Sequence, residues 1–400
     1  MNRKISLGLT IALMAIASAI TFIISTSYVM NIFNNLVADV QQRAEMYQKL
    51  EQIDAYVRTY YDGTIDEDRL IEALANGYIS IIEDTDARYM TAQEYTLFRE
   101  HMSGTHLGVG VYTVEDGGYP MVTEVLANSP AATAGIAVGD SIIEINGQSA
   151  LDLGYYEATE LLRSPAGTQL ELTVRSGGVD RTAVVMTLQM TVATVSAKTY
   201  DTLGYIKITE FNKKTYQQFT AAYSSLQSQG IQGLIIDLRN NTGELFDPAV
   251  NILGSMLPNG TAVAMKIDRD GTETVYDTAS GARVPEIPVA VIVNQRTEGP
   301  AELFAAALKD NIAAAIVGVT TVGKSDFFES YPLYDGTAII LPISTLRSVN
   351  IEIDGVGVKP DYEVPVAFDD TDDDLAALDE TTDSALKRAI EIVTSQTPAN

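Results

Sequence analysis

"PVAVIVNQRTEGPAELFAAALKDNIAAAIVGV", residues 288–319, decides the fold. The apolar run Pro288 to Val293 reads as a buried strand, a small-residue turn follows, and an Ala- and Leu-rich helix then leads to a second apolar run, Ala313 to Val319. Strand, turn, helix, strand is the repeating unit of a parallel sheet. The turn has the form of a catalytic loop, since a strand end beside a helix N-terminus is a standard place to hold a nucleophile. Asn294 to Asp310 nevertheless contains no Ser and no Cys.

The neighbouring segments repeat the alternation. "LGYIKITEF" (203–211) is strand-like, "TYQQFTAAYSSLQSQG" (215–230) is a helix closed by Gly230, and "IQGLIIDL" (231–238) is a buried strand. Residues 105–178 change character: short β-rich runs alternate with Gly, Asn and Asp turns, interrupted by one helix at about Tyr155 to Arg163. Upstream, helical spacing of apolar residues predicts an amphipathic helix over Ala44 to Tyr61, a second over Asp66 to Ile82, and a third within residues 84–104. An acidic stretch near the C-terminus precedes a short helix from about Ser384.

Composition excludes several functions. The formal net charge is −27, from 53 acidic and 26 basic residues, so phosphate backbones are repelled and nucleic acid is not expected as a partner. There is no cysteine, which removes disulfides, thiol catalysis and thiolate metal sites. His101 and His106, the only histidines, are five residues apart and do not share a helix face, so no metal or cofactor is expected. Arg3 and Lys4 precede an uncharged run from Ile5 to about Met30, long enough to span a bilayer. This predicts a single uncleaved anchor with the acidic bulk of the chain outside the cytoplasm, at the cell membrane.

"GVTTVGKS", residues 318–325, matches the phosphate-loop pattern letter for letter. Such a loop must open a helix, whereas Ser325 leads into "DFFESYPLYDG", which is aromatic, contains Pro332 and reads as strand and turn. Nucleotide binding is therefore not expected.

The Gly-rich segment Leu107-Gly108-Val109-Gly110, followed by "SPAATAGIAVGDSIIEING" (129–147), resembles a PDZ domain. In such domains the loop offers backbone N–H groups to a peptide carboxylate and the next strand pairs with the peptide, so Leu107, Gly108, Val109 and Gly110 are the expected peptide-binding residues. With "LIIDLRNNTGELFDPAV", "VNQRTEGPAELFAAALKDN", "VGVTTVGKS" and "GVGVKPDYEV", nearly the whole chain after the anchor resembles the carboxy-terminal processing peptidases. The expected fold is α+β and multidomain: a membrane anchor (1–30), a helical region (44–102), a β-barrel-like PDZ domain (103–190), an α/β peptidase-like core (191–368), and an acidic linker with a C-terminal helix (369–400).

The resemblance implies a serine and lysine dyad in which a neutral lysine is general base. Its lysine matches Lys324, in "TVGK". Its serine stands in a small-residue run ending in a glutamate that matches Glu302, and counting back places Gly299 at the nucleophile position. Pro300 occupies the next position, whose backbone N–H the family gives to the oxyanion hole; Pro has none. Phe328 replaces the glutamine that orients the lysine, and Gly243-Glu244 replaces a Gly-Gly turn. Thr297 and Ser325 are poorly placed as substitutes, and without a serine Lys324 reads as an ordinary lysine paired with Glu302, Glu298 or Asp326. A cluster of Asp237, Glu244, Glu298 and Glu302 raises acid–base hydrolysis as a remote alternative.

The expected function is capture of protein C-terminal tails without cleavage. The alternatives are an active serine-type endopeptidase with a rearranged site, and a regulator pairing with an active relative or with itself.

Overall fold

The computed structural model describes residues 40–82, 84, 86–243, 245–277, 287–365 and 381–397, with positions 21, 26 and 375. The expected anchor falls outside these residues except at positions 21 and 26, as does most of the acidic linker. Among the described residues no helix is long and apolar enough to cross a membrane.

The chain divides into two compact units, 1–71 and 72–400. In the first, a helix spans 40–60, with Tyr47, Leu50, Ile53, Val57 and Tyr60 exposed along it. A further helix, Glu67–Ile79, runs across the boundary.

The second unit contains a six-stranded sheet ordered Val195–Tyr200, Leu203–Ile208, Gly233–Asp237, Val289–Val293, Ala315–Gly318, Tyr362–Glu363. Only the first pair is antiparallel. The two-residue alternation of strand side chains sorts its apolar residues onto two faces. Ile206, Ile236 and Val291 pack with Phe219, Leu253 and Phe304 from the helices Thr215–Ser228, Phe246–Met256 and Pro300–Ile312. Tyr205, Ile235 and Ile292 face the opposite way and are covered by Leu386, Ala389 and Val393 of the helix Ser384–Gln396. Covering on both sides explains why Val289–Val293 is buried at all five positions and shows no polar alternation.

A buried charge cluster joins this sheet to the last helix. The Arg239 guanidinium meets Asp237 at 2.5 Å and Asp383 at 2.7 Å, and Tyr205 donates to Asp237 at 2.8 Å. Asp383 also caps the helix, accepting from the N–H groups of Ala385 and Leu386. Burial alone would raise the Asp237 pKa, but Arg239 outweighs it and holds the carboxyl below its usual range. That contribution is present above the unfolded carboxylate pKa and is lost as pH falls through the folded one. Asp383→Ala removes the cap and one partner of a buried guanidinium; a loss of about 2–4 kcal/mol is expected, read from the denaturant midpoint.

Residues 111–186 form an antiparallel sheet ordered Val111–Asp116, Tyr119–Val125, Ser141–Ile145, Gln169–Ser176, Val179–Met186, with Gln148–Ser149 paired to the third strand. The predicted helix is present as Tyr155–Leu162. Thr105–Gly108 pairs separately with Leu188–Thr191. A fourth sheet contains Asp326–Pro332 and Ala338–Arg347, so Ser325 is followed by a strand and not by a helix.

Candidate active site and peptide groove

The strand Val289–Val293 delivers the chain to Asn294, where an Asn pair ties two loops: the Asn294 amide donates to Asn240 Oδ1 at 2.7 Å, and the Asn240 N–H donates to Asn294 Oδ1 at 3.0 Å. Thr297 is fully buried, its hydroxyl donating to the Leu238 carbonyl at 2.9 Å and accepting from the Asn294 N–H at 3.0 Å. It pins the turn and is not presented to a substrate.

Gly299 follows at φ 58°, ψ −125°, immediately before the helix Pro300–Ile312. This is the strained strand-to-helix turn on which a nucleophile is raised in hydrolases, adopted here by the residue for which it costs least. A Cβ built on Gly299 meets no atom within 4 Å, so the space for a side chain is present and vacant. Pro300 starts the helix at a position that tolerates it because the missing N–H would have no intrahelical acceptor. The N–H of Ala301 turns to Glu298 O at 3.2 Å. On the other side the Gly243 N–H donates to Asn241 Oδ1 at 2.8 Å, and a Cβ there would lie 2.5 Å from Pro300 Cδ. The Gly243 and Pro300 loops thus abut where an oxyanion hole would open, and the Gly243 donor is engaged internally.

A single carboxylate fixes this turn to the lysine segment. Glu302 is fully buried and accepts from the N–H groups of Gly299 (3.0 Å), Gly323 (2.6 Å) and Lys324 (2.8 Å), and from the Thr321 hydroxyl. Burial raises its pKa, and these four donors offset the rise only in part. Gly323, within the phosphate-loop pattern, therefore donates to a carboxylate of its own chain.

The Lys324 ammonium faces elsewhere. Nζ donates to Asp86 at 2.6 Å and lies 4.0 Å from Glu298. Burial would lower its pKa, but the Asp86 hydrogen bond and the Glu298 charge prevail and raise it. Lys324 is thus stabilised as a cation, the opposite of what a general base needs. Its partner is Asp86, from "DTDARYM", rather than Glu302 or Asp326. Asp237 is taken up by Arg239 and Tyr205, whereas Glu302 and Glu298 both meet Lys324, one at its backbone N–H and the other 4.0 Å from its ammonium; Glu244 lies outside the described residues. Ser325 is buried, and its hydroxyl has no hydrogen-bond partner among the described residues.

Beside Pro300 lies an apolar cleft of about 310 Å³, walled by Leu245, Phe246, Phe327 and Phe328. A separate groove of about 540 Å³ lies between the strand Val111–Asp116 and the helix Tyr155–Leu162, with Val111, Thr113, Tyr155 and Leu162 on its walls and Gln93 and Leu97 closing it. That strand is the sheet's edge, so its outer backbone groups face the groove. Tyr155 Oη already donates to the Thr113 carbonyl at 2.7 Å. Of the four expected peptide-binding residues, Leu107 gives its N–H to the Glu100 carboxylate and Val109 gives its N–H to Leu162 O at 3.1 Å. Gly108 and Gly110 both have positive φ, and a Cβ at Gly108 would strike Leu162 O at 2.5 Å. His101 lies against Glu210, and His106 packs edge-on to Tyr112.

A two-face-covered parallel sheet carrying an elbow-shaped turn, joined to an antiparallel sheet with a peptide-sized groove, defines a peptidase fold with a PDZ domain. Residues 202–364 match the model described as Peptidase family S41, and residues 121–176 match the PDZ domain model. The chain is 28% identical to the carboxy-terminal processing protease CtpA of Bacillus subtilis, over 90% of this chain and 77% of that protein. It is 29% identical to the carboxy-terminal-processing protease of Bartonella bacilliformis, over 77% of this chain and 72% of that one. The solved photosystem II D1 C-terminal processing protease aligns with a TM-score of 0.47 at 24% identity, over 79% of this chain and 86% of that one. The chain is thus similar to carboxy-terminal processing proteases, with a Peptidase family S41 match in its parallel-sheet region and a PDZ match in its antiparallel one.

Proposed function

We propose that this protein is a membrane-anchored, extracytoplasmic family member that captures protein C-terminal tails in its PDZ groove and does not cut them. The observation that carries the reading is the joint state of three residues: Gly299 offers no nucleophile, Pro300 offers no oxyanion donor, and Lys324 is held as a cation by Asp86. Loss of a nucleophile with its surroundings costs several orders of magnitude in rate. The scaffold persists because its determinants, Glu302 and the Asn240–Asn294 pair, serve the backbone and not the chemistry. The membrane placement is supported by Arg3 and Lys4 ahead of the uncharged run to Met30.

The test is incubation of the protein with unstructured peptides carrying a free apolar C-terminus or its amide. The acid form is expected to bind at least about tenfold more tightly, as one charge-assisted contact implies, and to be recovered intact. Equal affinity for acid and amide would overturn carboxylate capture. Cleavage that disappears in Lys324→Ala would overturn the non-catalytic reading and favour the rearranged endopeptidase.

A further inference from the structure

The first turns of the helix Ala92–Ser103 line the PDZ groove through Gln93 and Leu97, and Glu100 in its last turn lines an adjoining cleft with Leu107 and with Arg163, which the groove shares. It is well determined at both ends: Thr91 and Glu94 form a reciprocal capping box, and Gly104 closes it in the left-handed conformation at φ 68°. The chain enters the strand Thr105–Gly108 directly afterwards, so Glu100 is carried back over the loop that follows. Its carboxylate accepts the Leu107 N–H and forms an ion pair with Arg163, the residue that ends the helix Tyr155–Leu162. The two side chains are only 15% and 17% exposed. A backbone N–H of the Gly-rich loop and a cation at the groove's end are the groups that a peptide's terminal carboxylate would seek.

Resting on the tail-capture reading, we propose that Glu100 is an internal carboxylate ligand of the PDZ loop, occupying the terminal-carboxylate position until a tail displaces it. Burial lowers the pKa of the Arg163 guanidinium, and a half-buried cation without an anion is costly. Something must therefore fill the position when no tail is bound, and Glu100 does so at the end of a rigid helix. The single Leu107 N–H cannot donate fully to two carboxylates, so a tail that takes it must displace Glu100. The tail's apparent affinity is its intrinsic affinity reduced by the fraction of molecules in which Glu100 has let go. Gln93 Nε2, which donates to Glu160 Oε1 at 3.1 Å, is a second tie of the same helix to the groove wall. Release of Glu100 frees the loop without requiring the whole helix to leave.

The experiment uses the full chain in detergent and a labelled ten-residue peptide ending in Val-Ala, as free acid and as amide, titrated against wild type, Glu100→Ala and Glu100→Gln. The expected result is about tenfold tighter binding of the acid to Glu100→Ala, with unchanged binding of the amide. Glu100→Gln keeps the shape and an acceptor for Leu107 while giving up the charge. It is expected to fall between the two, and it keeps the test valid should the alanine variant unfold. Unchanged acid affinity in both folded variants, with acid still preferred to amide in all three proteins, overturns the latch and leaves tail capture standing. Loss of any acid preference in all three overturns tail capture itself, and the latch with it.

Discussion

Replacing Gly299 by Ser together with Pro300→Ala and Asp86→Asn is expected to give measurable cleavage of unstructured tailed peptides, where the proposed function expects none from the wild type. Each change answers one deficit. A side chain at 299 enters space with no atom within 4 Å, on a turn that raises it toward solvent. Pro300→Ala supplies a backbone N–H, and one oxyanion donor is worth about 10²–10³ in rate. Asp86→Asn removes the anion 2.6 Å from Lys324 Nζ, which allows the ammonium to lose its proton more readily. The Gly243 N–H remains engaged by Asn241 and Phe328 remains unable to orient the lysine, so turnover should stay well below that of a complete site. Within the triple variant, restoring Pro300 alone is expected to lower the rate about 100-fold. A serine in this backbone conformation costs roughly 1–3 kcal/mol, so thermal melting should accompany the assay. An inert but folded triple variant would instead place the decisive deficit at the engaged Gly243 N–H or at Phe328.

Glu302→Ala is expected to destabilise the protein by about 4 kcal/mol, because four donors that now share one buried carboxylate would be left unpaired, three of them backbone N–H groups. Denaturant unfolding with an unchanged m value would measure it. Glu302→Gln should be only partly protective, since an amide turns one donor toward groups that themselves donate. A shift below about 1 kcal/mol for Glu302→Ala would mean that water enters and satisfies the loop, and the carboxylate would lose its role as the fixed point between Gly299 and Lys324.

The parts of this molecule set by local pattern could be read directly. The β-branched run Val289–Val293, the Pro at the first helical position and the Ala-rich helix each follow from backbone sterics and burial. That Gly299 stands where the resemblance implies a nucleophile is legible by spacing from Glu302, because spacing within one loop does not depend on tertiary structure. The partner of Lys324 could not be found that way. Asp86 lies 238 positions upstream, whereas Glu298, Glu302 and Asp326 are near in sequence. Glu302 takes the lysine's backbone N–H and not its ammonium, a distinction that only coordinates make. Glu100 was hidden for a related reason: as one charged residue on an amphipathic helix it has no periodic signature, and its meaning depends on Arg163, brought to it across the PDZ fold.

The tie between Arg239 and Asp383 also bears on how the protein is made. Synthesis runs from N- to C-terminus, and domains tend to fold as they emerge. Here one face of the sheet stays uncovered, and Arg239 lacks its second carboxylate, until Asp383, 144 residues further along the chain, and the helix it caps have emerged. The nascent core therefore holds an open apolar face until residues 384–396 are available to cover it. A message truncated before codon 384 would yield a product suited to chaperones and proteases rather than a smaller working protein.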